Sequence, residues 1–177
     1  MQHEIKGFEI EFAGLKEGVH QYQFELGPTF FAEFDYGDFQ EPLFQAEVQM
    51  EKKSRSLEFQ FKVKGDALVY CDITTDPFRL PMEQQTQLQV KFGASFDDTD
   101  EAILWLPEAA HRLNVAQYLY ELAVLARPLK VVHPEVAKGK RGQEALQKLQ
   151  ELSPENRAEQ KEDEIDPRWD KLKDLLN

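Results

Sequence analysis

The sequence is short of most of what marks an active site. It has one cysteine, Cys71, in 177 residues. A lone thiol cannot close an internal disulfide, which fits a reducing compartment. Structural zinc takes four Cys or His ligands, usually in close pairs. Thr74 stands where the partner of Cys71 in a Cys-x-x-Cys pair would be, and His20 and His133 are unpaired along the chain. The ligand count therefore fails, and Cys71 reads as a small buried apolar residue. To serve as a nucleophile it would need His20 or His133 beside it in space, and no local signature marks such a thiol. The nine glycines are scattered through turns and form no phosphate cradle. Asp97, Asp98, Asp100 and Glu101 cluster without the central glycine and spaced glutamate of a calcium loop, so they read as a solvated turn. No stretch approaches the ~20 apolar residues of a membrane span. Residues 1–6 hold no apolar signal core, and the expected location is the cytoplasm. Positive charge is scarce too. Lysine and arginine number 21 against 33 acids, a formal net charge of −12. Such a surface repels bare phosphate backbones and suits a basic partner.

What the chain has is alternation. Phe8, Ile10 and Phe12 alternate with acids. His20, Tyr22, Phe24 and Leu26 alternate with Gln21, Gln23 and Glu25, and Phe44, Ala46, Val48 and Met50 with Gln45, Glu47 and Gln49. Leu57, Phe59, Phe61 and Val63 form a fourth such set, and Leu88, Val90 and Phe92 another. This is the period of half-buried strands. Lys64-Gly65-Asp66 has turn chemistry and predicts a central hairpin, whose second strand, 67–71, carries Cys71 into the polar turn 72–77. Phe30 and Phe31 after Pro28 suggest a helical turn. Residues 103–106 form a short apolar piece that suits an edge strand. Pro107 is placed as the first residue of a helix running to about Ala126 and stopped before Pro128. The expected class is α+β: an antiparallel sheet or small barrel-like core, one long packed helix and a short C-terminal helical arm.

Three segments follow. Residues 1–136 are the β-rich core with its helix at 107–126; residues 137–165 are a polar, partly disordered linker; residues 166–177 are a docking helix. Lys138, Lys140 and Arg141 form the densest basic cluster and are the candidate RNA contact. Leu146, Leu149 and Leu152 give a weak helix. Asp166 and Pro167 suit the N-cap and first position of the last helix. Its Arg168, Trp169 and Leu172 are, with Tyr118, the candidate partner contacts, because aromatic and arginine side chains anchor interfaces.

Taken in order, four places resemble the YceD-like family of large ribosomal RNA subunit accumulation proteins, a domain of unknown function. They are Gly18-Val-His20-x-Tyr22-x-Phe24 followed by Phe30-Phe31; Gly65-x4-Tyr70-Cys71-Asp72 ending in Asp76-Pro77-Phe78; Tyr118-x-x-Glu121 leading to Arg127-Pro128-Leu129-Lys130-x-x-His133-Pro134; and Asp166-Pro167-Arg168-Trp169-x-x-Leu172-x-x-Leu175-Leu176. The details are most similar to the version in Bacteroidetes-type bacteria. The family often carries a Cys-Asp-Arg-Cys-Leu turn. Here only Cys71 and Asp72 match it, so no metal site proposed for cysteine-bearing relatives carries over. The resemblance implies a non-enzymatic factor in ribosomal RNA accumulation and ribosome biogenesis, without metal or cofactor. The partner expected from the charge is a ribosomal protein or assembly factor. Direct RNA binding through residues 138–141 and an uncharacterised enzyme are the alternatives.

Overall fold

The computed structural model describes residues 5–100, 103–140 and 142–152. Among these residues seven strands and four helices follow one another: β1 (Glu9–Glu11), β2 (Gly18–Leu26), α1 (Pro28–Ala32), β3 (Gln40–Lys52), β4 (Ser56–Tyr70), β5 (Pro77–Gly93), β6 (Ile103–Pro107), β7 (Arg112–Asn114), α2 (Ala116–Leu125), α3 (Pro134–Ala137) and α4 (Gln143–Glu151). The chain is α+β. Its main sheet has the order β2-β3-β4-β5-β6, and β1 pairs with β7 in a second, two-stranded sheet. All pairings are antiparallel except β5 with β6. The main sheet is open, not a closed barrel. Two compact units are distinguished: the chain up to Cys71 with Asp76–Val131, and Asp72–Thr75 with the chain from Val132.

The alternation places the core. Phe44, Val48, Met50, Leu57, Phe59, Phe61, Val63, Leu88 and Val90 are all buried on one face of the sheet. Ring contacts connect this face to its cover. Phe8 stacks on Phe24 with centroids 5.2 Å apart, Phe12 lies 5.7 Å from Phe92, and Phe61 stacks on Tyr118 of α2 at 5.7 Å. Ala116, Leu119, Leu122 and Ala123 of α2 are buried.

Two expectations are corrected. Residues 64–66 make no hairpin, because β4 runs unbroken from Ser56 to Tyr70. Gly65 answers a different need. The β3–β4 register shifts between Gln40 and Leu43, a bulge in which Glu41 adopts φ 46°. A Cβ on Gly65 would overlap the Leu43 carbonyl oxygen and lie 2.6 Å from the Phe44 Cα. The glycine admits a neighbouring backbone rather than turning its own. Arg79 of β5 holds the bulge, donating from Nε to Asp66 and from Nη2 to the Glu41 carbonyl at 3.2 Å. The second correction concerns the helix expected from Pro107. That proline ends β6, residues 112–114 pair with β1, and α2 begins only at Ala116. Asn114 makes the switch: its Oδ1 accepts from Ala116 N–H at 3.0 Å while its Nδ2 donates to the Ile5 carbonyl at 2.8 Å. Residues 103–107 are an edge strand, the 28–32 segment is a helical turn, and the weak helix near Leu146 is α4.

Candidate functional site

The exposed side of the main sheet carries the polar half of the alternation, and its register makes rows. Gln21, Gln49, Gln60 and Gln87 stand opposite one another across four strands; the next row is Gln23, Glu47, Lys62 and Gln85. Between the two rows runs a trough of ≈ 500 Å³, floored at Tyr22, Val48, Phe61 and Thr86. Because the floor residues turn their side chains to the other face, the trough is walled by amides and mixed charges and presents no aromatic ring. The charges here divide by strand. Lys62 reaches Glu83 at 2.9 Å, Lys64 reaches it at 3.8 Å, and Lys53 reaches Glu58 at 2.6 Å. The Glu83 carboxyl titrates below the ordinary carboxylate range because Lys62 donates a hydrogen bond to it and lies close as a charge. Glu47 stands in register with Lys62 and feels its charge, while no lysine or arginine among the described residues lies within ion-pair distance of Glu25.

The second concavity, ≈ 580 Å³, lies on the covered side, along α2. Leu88, Leu104, Leu122 and Leu125 supply apolar surface; Asp98, Asp100 and Glu121 supply carboxylates; Tyr118 joins them. Tyr118, expected to be a partner contact from its sequence, thus belongs to a groove of one charge sign. Its ring lies nearly parallel to Phe61, at 12°, so packing fixes its position. Glu121 accepts from Gln117 Nε2 at 2.6 Å, one helical turn away. Leu125 is 70% exposed at the end of the helix.

The remaining candidates are spread out. Cys71 is buried, and its N–H donates to the Asp76 carbonyl at 2.9 Å, closing the connection from β4 to β5; Asp72 follows it, exposed. Thr74, in the place of the second cysteine, faces Gly142: a Cβ there would come within 2.9 Å of the Thr74 methyl. The His20 ring donates from Nε2 to the Lys16 carbonyl, and His133 caps α3 by accepting from Glu135 N–H at 3.1 Å. Each imidazole therefore has a local structural bond. Asp97 is engaged by Thr99, whose hydroxyl and N–H both donate to it and hold its carboxyl low; Glu101 lies outside the described residues. No group of three or more His, Cys, Asp or Glu among the described residues could hold a metal ion, and no described helix is long and apolar enough to cross a membrane. Lys138 and Lys140 are exposed just beyond α3. Arg141, Asp166, Pro167, Arg168, Trp169 and Leu172 lie outside the described residues.

Residues 59–176 match the family model described as large ribosomal RNA subunit accumulation protein YceD, well over half of the chain. The chain belongs to this family. No curated protein and no solved structure matches it. The span matched to YceD starts inside β4 and includes α2 with its groove, whereas β2, β3 and the Glu25–Glu47 corner of the sheet precede it. Neither the trough nor the acidic rim of the groove was legible beforehand. The trough depends on which rows the register sets side by side, and only the glutamine-rich alternation hinted at it; the rim depends on a loop carrying Asp98 and Asp100 that meets Glu121 of α2.

Proposed function

We propose that this YceD-family chain contributes to large-subunit ribosomal RNA accumulation without catalysis of its own, by binding a basic ribosomal protein or assembly factor in the cytoplasm. The observation that carries this reading is the groove along α2. Its carboxylates, Asp98, Asp100 and Glu121, edge an apolar surface with Tyr118 in it. A lysine or arginine side chain suits such a place: its stem lies against leucine and tyrosine while its head meets the acids. The net charge of −12 supports the same class of partner and disfavours bare RNA. Within this reading, Arg168, Trp169 and Leu172 on a C-terminal docking helix, 166–177, add a second contact joined to the core, 1–136, through the polar segment 137–165. The chain would cover a cationic, partly apolar surface of its partner until assembly buries that surface.

The test is affinity recovery of the tagged protein from its native cells, with ribosomal RNA and proteins quantified in the eluate and across a sucrose gradient. Co-migration with large-subunit precursors, lost in Asp100→Lys/Glu121→Lys and reduced in Trp169→Ala/Leu172→Ala, is the expected result. A protein found only at the top of the gradient overturns the reading. Recovery of RNA without proteins, falling steeply as salt rises, would replace it with direct RNA contact through Lys138, Lys140 and Arg141.

A further inference from the structure

We infer that β2 is a docking edge, and that its occupant is an extended, cationic segment of a partner protein that adds to the sheet as a sixth strand. The inference rests on the proposal of a basic partner and names a second place where that partner is held.

The edges of the main sheet are not alike. On the far side, β6 is five residues long, and its outer edge is closed by Asp97, which exchanges backbone hydrogen bonds with Trp105 at 2.8 and 3.0 Å. Before Gln89, β5 has no second neighbour among the described residues, but this stretch carries Pro77 and Pro81, and the Gln85 N–H is covered by the Gln84 side chain at 3.2 Å. Prolines, bridges and side-chain covers are how proteins blunt an edge against unwanted pairing. In contrast, β2 has none of these. It runs for nine residues in unbroken register with β3, without proline or lysine. Among the described residues nothing pairs with its outer backbone.

Two further observations select the occupant. On the core side, His20, Tyr22 and Phe24 are only half-buried, while their β3 partners Met50, Val48 and Ala46 are at 0–1% exposure. An added strand would complete that burial; on the β5 edge it would meet exposed Gln84 and Thr86 instead. On the outer side, the acids of β4 and β5 are matched by Lys53, Lys62, Lys64 and Arg79, and Glu47 of β3 stands in register with Lys62 and feels its charge, whereas Glu25 on the open edge has no lysine or arginine among the described residues within ion-pair distance. Alternating apolar and basic residues fit both sides at once. A second copy of this chain fits less well, because its β2 carries no lysine or arginine to meet Glu25.

The experiment uses the full chain and a fluorescent nine-residue peptide of alternating lysine and valine, with a glutamate–valine peptide as control. Expected are saturable binding of the lysine peptide only, slowed amide exchange at alternate residues of β2, and binding at least about tenfold weaker in Gln21→Lys/Gln23→Lys, since like charges face each other across the new pair. Circular dichroism of the variant checks its fold, and Glu25→Gln, which leaves the backbone edge intact, should weaken binding less. Equal binding by Gln21→Lys/Gln23→Lys, or exchange protection at α2 or elsewhere instead of β2, overturns the inference. So does a concentration-dependent dimer dissolved by the same variant, which would make the occupant a second copy. If the wild-type chain migrates apart from ribosomal particles yet binds the lysine peptide along β2, the biogenesis reading falls and the edge stands. If Gln21→Lys/Gln23→Lys still co-migrates with large-subunit precursors and still binds the peptide, the reverse holds.

Discussion

The two faces of the main sheet come from the same strands and differ in nearly everything else. Toward the core, Phe59 and Phe61 lie buried with their rings parallel at 5.7 Å. On the other side, Gln60 between them and Lys62 just after stand exposed. The difference separates two roles of one pleat: one face holds the fold by exclusion of water, and the other offers a regular array of amides and charges that the fold does not need. Stability should therefore concentrate in one set of residues and recognition in the other.

The largest expected break in that contrast is Phe59→Ala, which removes a ring that is 1% exposed and should cost about 3–5 kcal/mol. The adjacent Gln60→Ala should stay within about 0.5 kcal/mol. Chemical denaturation of both measures the pair, and comparable losses would erase the distinction. Next comes Gly65→Ala. Its new Cβ would meet β3 backbone rather than a movable side chain, so a loss of about 1–3 kcal/mol or more is expected, read by chemical denaturation. The smallest effect is electrostatic. Because Glu83 titrates low in the folded chain, its pairing with Lys62 favours the fold above the ordinary carboxylate pKa and is lost as pH falls through the depressed value. Lys62→Ala should move the Glu83 titration upward by NMR, with little change in midpoint stability, as befits a pair exposed to water.

How far the sequence alone reveals this fold depends on which signal one follows in β4. Leu57, Phe59, Phe61, Val63, Gly65, Ala67, Val69 and Cys71 keep one phase from end to end, and each apolar member is buried. Strict period therefore reads through position 65, whereas the residue types at 64–66 argue for a turn. Glycine serves a close approach as readily as a turn, and only the partner strand decides between them. Pro81 presents the same ambiguity: β5 continues through it because that stretch has a single neighbour among the described residues, and a proline is tolerated on such an edge. The late start of α2 escaped for another reason. Ala109, Leu113 and Ala116 fit helical spacing, but Leu113 is taken by pairing with Ile10, more than a hundred residues away, and no local period records so distant a partner. The groove beside Tyr118 was legible only as one aromatic residue on a helix; Glu121 shares that helix, but Asp98 and Asp100 come from a loop that tertiary structure folds against it.

That distant pairing sets an order of assembly. From β2 to β5 each strand pairs with its successor, and contacts of this kind form early because little chain must be closed to make them. The β1–β7 ladder joins Glu9 to Asn114. On the ribosome β1 is made more than a hundred residues before its mate, which follows only after the whole meander has emerged, so the phenylalanine-rich side of the nascent sheet waits in the meantime without its lid. At roughly 5–20 residues per second that interval lasts seconds, and during it the chain presents to chaperones a surface that the finished protein hides.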